Sequence, residues 1–161
     1  MTFTEIQRFN QWWIWLLLAG LFLIPFYSIY KEFIKTTKSE LSAFDNPGWI
    51  IMTFAIAMLI LFMTSLRLTT SIDEDKIHIR FSPLTSKTFE WNDIKSAELI
   101  KYGFVGGWGI RLWTKYGTVY NVKGDMGLAI HMKNGKKYVI GTQKVEELSN
   151  YLKSIGKLNL P

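Results

Sequence analysis

The sequence predicts a membrane protein in two parts: a transmembrane hairpin of two helices over residues 1–66, then an α+β domain over residues 67–161. Three observations carry that reading. Two apolar runs without a charged residue, Gln11–Tyr30 and Gly48–Leu66, lead the chain. Beyond Leu66 apolar residues alternate with polar ones, the period of half-buried strands. From Val145 the period becomes that of a helix.

A helix rises about 1.5 Å per residue, so the twenty positions from Gln11 to Tyr30 cover a hydrocarbon core. Ile14, Leu16, Leu17, Leu18, Leu21, Phe22, Leu23, Ile24, Phe26 and Ile29 together favour insertion by about 3 to 6 kcal/mol. Pro25 removes one backbone hydrogen bond in the last third and is expected to kink the helix, not to end it. The second run holds Ile50, Ile51, Phe54, Ile56, Leu59, Ile60, Leu61, Phe62 and Leu66, and Asn46-Pro47-Gly48 marks its entrance. Trp12, Trp13 and Trp15 open the first run, Tyr27 and Tyr30 close it, and Trp49 opens the second. Amphipathic rings at segment ends are what headgroup-level anchoring requires. A signal peptide would have a shorter apolar stretch and a small-residue cleavage site, which Tyr27-Ser28-Ile29-Tyr30 does not supply. Two buried helices of a soluble protein would leave a very small remainder to bury them.

Two spans put both termini on one side. Near the membrane that side carries Arg8, Arg67, Lys76 and Arg80, against Lys31, Lys35 and Lys38 in the connecting loop, a balance that does not decide orientation. The charge split says more. Residues 67–161 hold 15 of the 19 Lys and Arg and 9 of the 13 Asp and Glu, so the whole excess of +6 lies in the tail. A basic domain beside a membrane suits the anionic inner leaflet, and both termini are expected to be cytoplasmic at the plasma membrane. The chain has no cysteine, hence no disulfide to indicate an oxidising compartment.

In the tail, Leu66, Leu68, Thr70 and Ile72 share a face, and Ile77, Ile79 and Phe81 alternate with Lys76, His78, Arg80 and Ser82. Asp73-Glu74-Asp75 turns one strand into the other, and Pro83 ends the second. Further strands are expected at Lys87–Trp91, Ser96–Tyr102, Gly109–Thr114 and Val119–Val122. Leu128, Ile130 and Met132 lead into Asn134-Gly135, a two-residue hairpin turn, and Lys136–Gly141 returns. Val145, Leu148, Leu152 and Ile155 then define a helix over Lys144–Ile155, with Thr142 or Gln143 at its start and Gly156 at its stop. The sum is about seven antiparallel strands and one amphipathic helix.

That order, with the words Ile72-Asp73-Glu74-Asp75-Lys76-Ile77, Phe89-Glu90-Trp91-Asn92-Asp93-Ile94, Gly107-Trp108-Gly109-Ile110-Arg111, Tyr120-Asn121-Val122-Lys123-Gly124 and Asn134-Gly135-Lys136-Lys137, resembles the bacterial pleckstrin-homology-like (PH-like) membrane proteins. Ile140-Gly141-Thr142-Gln143-Lys144 extends the match, which covers roughly Leu66–Leu152. Val145 departs from it, standing where proline is preferred in the first helical turn. The resemblance implies a bent, partly open barrel capped by a helix, and a binding habit without a reaction.

PH domains of eukaryotes bind phosphoinositide heads through basic residues on their first hairpin, and Lys76, His78 and Arg80 resemble that pattern. The plainer reading is a solvated strand face, with Asp73-Glu74-Asp75 repelling phosphate and only weak attraction to anionic lipid. Gly103-Phe104-Val105-Gly106-Gly107-Trp108-Gly109 has many glycines but not the spacing of a phosphate loop. If it binds anything, Phe104 and Trp108 with Arg111 would do so by stacking and apolar burial.

His78 and His131 are the only histidines and have no carboxylates spaced with them as metal ligands, so no cofactor or metal is expected. No nucleophile elbow or triad pattern is present. Lys133, Lys136, Lys137 and Lys144 cluster without the aromatic words of RNA-binding sheets, so no nucleic-acid partner is expected. The spans lack Asp, Glu, Lys, Arg and His, which argues against transport. Thr53 and Ala57 would allow close helix packing in a homo-oligomer. The function expected is a membrane-anchored, non-enzymatic binding or scaffolding module with lipid contact through its spans and a protein partner or second copy. Its alternatives are a direct anionic-lipid headgroup sensor and, remotely, an enzyme acting on lipid or cell-wall precursors.

Overall fold

The computed structural model describes residues 2–36 and 47–158. The chain forms two units, Asn10–Ser65 and the combination of Met1–Phe9 with Leu66–Pro161. Of the residues named above, Lys38 and Asn46 lie outside the described ones.

In the first unit, helices α1 (Trp12–Thr36) and α2 (Pro47–Ser65) pack on one another. Helix α1 runs through Pro25 and past Tyr30, one and a half turns beyond the apolar run. Both helices are long and apolar enough to cross a bilayer. They are also exposed: Leu18 and Pro25 are buried in α1, and no residue of α2 is. A core helix of a soluble domain would show the opposite. Among the described residues their serine and threonine hydroxyls are satisfied within each helix, as an apolar solvent demands. Ser28 donates to the Ile24 carbonyl at 3.1 Å, Thr53 to Trp49 at 2.8 Å, Thr64 to Leu61 at 2.7 Å and Ser65 to Phe62 at 2.6 Å.

The second unit has nine strands among its described residues, against about seven expected. The addition with the largest consequence is β1 (Phe3–Arg8), which the sequence reading left within the hairpin. It pairs antiparallel with β2 (Arg67–Ile72), with Phe3 opposite Ile72 and Arg8 opposite Arg67. Strands β3 (Lys76–Ser82) and β4 (Thr85–Glu90) complete a four-stranded meander, β1-β2-β3-β4. A 3₁₀ turn at Trp91–Asp93 leads to β5 (Ile94–Lys101), followed by β6 (Gly109–Thr114), β7 (Gly117–Asn121), β8 (Met126–Met132) and β9 (Lys137–Gly141).

These five form a second sheet in the order β5-β8-β9-β7-β6. The barrel expectation therefore needs correcting: there are two open sheets, and β7 runs parallel to β9. The β8–β9 hairpin inserts between β5 and β7, and alternation within a strand carries no information about which neighbour it chooses. Gly117 makes the parallel pairing possible: it has φ +83°, and a Cβ there would collide with the Lys137 carbonyl.

Leu68, Ile72, Ile77, Ile79 and Phe81 of the first sheet are fully buried, as are Leu128, Ile130 and Ile140 of the second. Phe89 on β4 meets Tyr138 on β9 with ring centroids 4.8 Å apart. Helix α3 (Val145–Ser154) adds Leu148 and Leu152 to this core, and its Tyr151 packs on Phe3 of β1 at 6.2 Å. Its cap is Lys144, one residue later than expected. Thr142 is engaged elsewhere: its Oγ1 donates to Glu5 at 2.5 Å and accepts from the Lys144 amide at 3.0 Å.

Candidate functional site

The outward face of the first sheet holds the residues singled out for lipid contact. Lys76, His78 and Arg80 alternate with buried Ile77, Ile79 and Phe81, so all three share that face. Along a strand they span about 13 Å, too far to converge on one phosphate. Their surroundings differ as well. Lys76 lies opposite Glu90 and beside the Asp73 turn. There the Asp73 carboxylate accepts from the amides of Asp75 at 2.9 Å and Lys76 at 2.8 Å. Those backbone hydrogen bonds, that to Lys76 first, hold the Asp73 carboxyl below its ordinary value. The far end of the sheet is thus anionic, with Glu74, Asp75 and Glu90 beside Asp73. His78 sits between two hydroxyls, its Nδ1 2.9 Å from Thr88 Oγ1 and its Nε2 3.3 Å from Ser86 Oγ. Both ring nitrogens are occupied by neutral partners.

Arg80 is at the other end of β3, opposite Thr69 and Ser86. Its neighbours there are Arg67, which opposes Ser82, and Arg8, which opposes Arg67. Gln7, Leu68, Ile79 and Phe81 are buried between them, so the three arginines occupy the same outward face, and all are exposed. Among the described residues the ion pairs are Lys101–Asp125 at 3.2 Å and Lys144–Glu147 at 2.8 Å, neither of which involves these arginines. In the sequence, Arg8 and Arg67 stand out only as charges flanking the two apolar runs. What joins them is strand pairing across residues 10–65, for which a single sequence has no local signal.

The second predicted group lies on the loop from β5 into β6. Phe104 projects from it, 86% exposed, whereas Trp108 is half-buried. The Arg111 guanidinium rests against Gly107, where a Cβ would collide with it, and Asn121 donates to the Gly107 carbonyl at 3.4 Å. Arg111 Nε and Asn121 Oδ1 are buried without partners. Gly107 thus makes room for an arginine of the chain itself, while Gly103, Gly106 and Gly109 stand at positive φ, where glycine is the residue without strain.

Two other surface features went unnoticed in the sequence. Trp113, on the edge strand β6, is 93% exposed and has φ +54°, within an irregularity of register between Arg111 and Thr114. Leu112 beside it is exposed as well. A groove of about 410 Å³ has Ile100, Ala129 and Val139 on its floor and Lys101, Lys115, His131 and Lys137 around it. No group of three or more His, Cys, Asp or Glu side chains that could hold a metal occurs among the described residues.

Compared with known proteins, the chain matches no family model and no curated sequence.

Proposed function

We propose that this chain is a membrane-anchored, non-enzymatic binding and scaffolding module that displays a PH-like domain at the inner leaflet of the plasma membrane. One observation supports it above the rest. The strand before α1 and the strand after α2 are neighbours in one sheet, with Arg8 opposite Arg67. That pairing supports a topology in which residues 3–8 and 67–158 share one side of the membrane and the two exposed apolar helices between them enter and return as a hairpin. A partner-binding role draws support from β6, an edge strand with exposed Leu112 and Trp113, since an open edge with apolar side chains suits strand addition by another protein.

The absence of cysteine makes the test direct. Single variants Asn134→Cys, in the β8–β9 turn, and Ile34→Cys, near the end of α1, are treated in intact cells with a membrane-impermeant maleimide. The proposal expects Ile34→Cys to react and Asn134→Cys to react only after lysis. The reverse pattern overturns the inner-leaflet assignment, and equal reactivity at both overturns the hairpin. Photocrosslinking from Trp113 that yields neither a partner nor a second copy would remove the scaffolding role.

A further inference from the structure

We propose that the end of the first sheet that leads into α1 and α2 is a binding site for the phosphates of anionic lipid headgroups, formed by Arg8, Arg67 and Arg80 with Leu84 beside them. This rests on reading the two helices as spans, and it names where the anchored domain meets lipid.

Chain connectivity limits how far the site can lie from the helices. Arg8 precedes Trp12, the first residue of α1, by four residues, and Arg67 follows Ser65, the last of α2, by two. At about 3.5 Å per residue, Arg8 lies within roughly 14 Å and Arg67 within roughly 7 Å of a helix end, however the domain is oriented. Register then brings the charges together: Arg8 directly opposes Arg67, and Arg80 sits diagonally from Arg67 on the next strand. Like charges opposed on neighbouring strands repel, and no carboxylate among the described residues pairs with them. A bridging anion removes that repulsion, and the guanidinium fork matches a phosphate in shape and donor number.

Two apolar side chains and the opposite end of the sheet point to a lipid surface as the occupant. Leu84 is 55% exposed in the turn after β3, the end of the strand that lies beside Arg67, and its amide is held by the Phe81 carbonyl at 2.8 Å. Ile6, 58% exposed, is on the arginine face opposite Thr69. Leucine beside arginine suits the boundary between acyl chains and headgroups, where both find their preferred surroundings. The carboxylates of Asp73, Glu74, Asp75 and Glu90 gather at the far end of the sheet. A sheet charged in this way presents its arginine end to an anionic surface.

The test uses the full chain in phosphatidylcholine vesicles with increasing phosphatidylglycerol. A nitroxide on Leu84→Cys reports depth through its accessibility to oxygen and to a neutral nickel chelate, and one on Asn134→Cys serves as the distant control. The expected result is that Leu84→Cys moves into the headgroup layer as phosphatidylglycerol rises while Asn134→Cys does not. Each of R8Q, R67Q and R80Q should raise the phosphatidylglycerol fraction at half-response about fivefold. The double variant K136Q/K137Q should leave it unchanged. A label depth independent of lipid charge overturns the site, and so does a lysine variant as damaging as an arginine variant. Millimolar inorganic phosphate reproducing the shift in pure phosphatidylcholine would overturn the lipid assignment in favour of a soluble phosphate. Flotation scores the anchor separately: a chain that floats but ignores phosphatidylglycerol loses this site and keeps its anchor, and one that does not float loses both.

Discussion

Glu5 is a carboxylate buried inside a sheet and held by hydrogen bonds from uncharged groups. It accepts from Thr142 Oγ1 at 2.5 Å and from the Gln143 amide at 2.8 Å, while Gln7 donates to the Gly141 carbonyl at 2.7 Å. These bonds tie β1 to the junction of β9 and α3. Glu5→Ala would leave a buried hydroxyl and a backbone amide without an acceptor, and should cost about 2 to 4 kcal/mol in urea denaturation followed by tryptophan fluorescence. Glu5→Gln keeps one acceptor and should cost less. Tyr102 gives a pH-dependent effect at the same scale. Its hydroxyl donates to the Gly124 carbonyl at 3.2 Å. Burial raises its pKa above the ordinary 10.0, the hydrogen bond with Asn121 opposes this, and the charge of Asp125 adds to it. The folded state thus holds this proton more tightly than the unfolded chain. The resulting stability is complete below about pH 10 and is lost as pH rises through the folded pKa. Denaturation midpoints above pH 10 should fall more steeply for the native sequence than for Tyr102→Phe, with Tyr151, also raised chiefly by burial, keeping some slope in both.

At the scale of elements, β1 decides what can be isolated as a domain. A fragment of residues 67–161 lacks Phe3, Glu5 and Gln7, and so exposes the edge of β2 and part of the core. It should aggregate or unfold. Because Arg8 and Arg67 are register partners, a turn of about four residues can join Phe9 to Leu66 in place of the helices. The joined domain should be monomeric and unfold cooperatively; calorimetry showing the plain fragment to be equally stable would refute the role of β1. Most other strands were legible: β3 and β6 lie where the sequence places them, and β2, β4, β5, β7, β8 and β9 within about two residues, with β2, β3 and β4 alternating inward and outward and β7, β8 and β9 burying short continuous runs. β1 was not, because it buries Glu5 and Gln7 and exposes Ile6, the inverse of the usual pattern. The parallel β7–β9 pairing was hidden for another reason: it depends on a close approach at Gly117 that composition does not announce. The arginine site was half legible. Arg80 was picked out with Lys76 and His78, whereas its partners Arg8 and Arg67 are separated in sequence by both helices.

Over the whole molecule, the short connections between sheet and helices are what make the arginine end act on a membrane. Phe9, Asn10 and Gln11 alone separate β1 from α1, and Leu66 alone separates α2 from β2. Salt screens charges beyond about 8 Å at physiological ionic strength, so three arginines matter only if the domain is held this close. Flexible Gly/Ser insertions of about twelve residues, one between Phe9 and Asn10 and one between Ser65 and Leu66, would extend each connection by roughly 19 Å, more than two screening lengths. They leave the pairing of β1 with β2, the buried core and both helices untouched. The elongated chain should therefore still float with vesicles and unfold like the original, while the phosphatidylglycerol response of a Leu84→Cys label falls toward that of the R8Q/R67Q/R80Q triple variant. If the response survives elongation undiminished, the site's own affinity holds the domain down, and the short connections are not what brings it to the lipid.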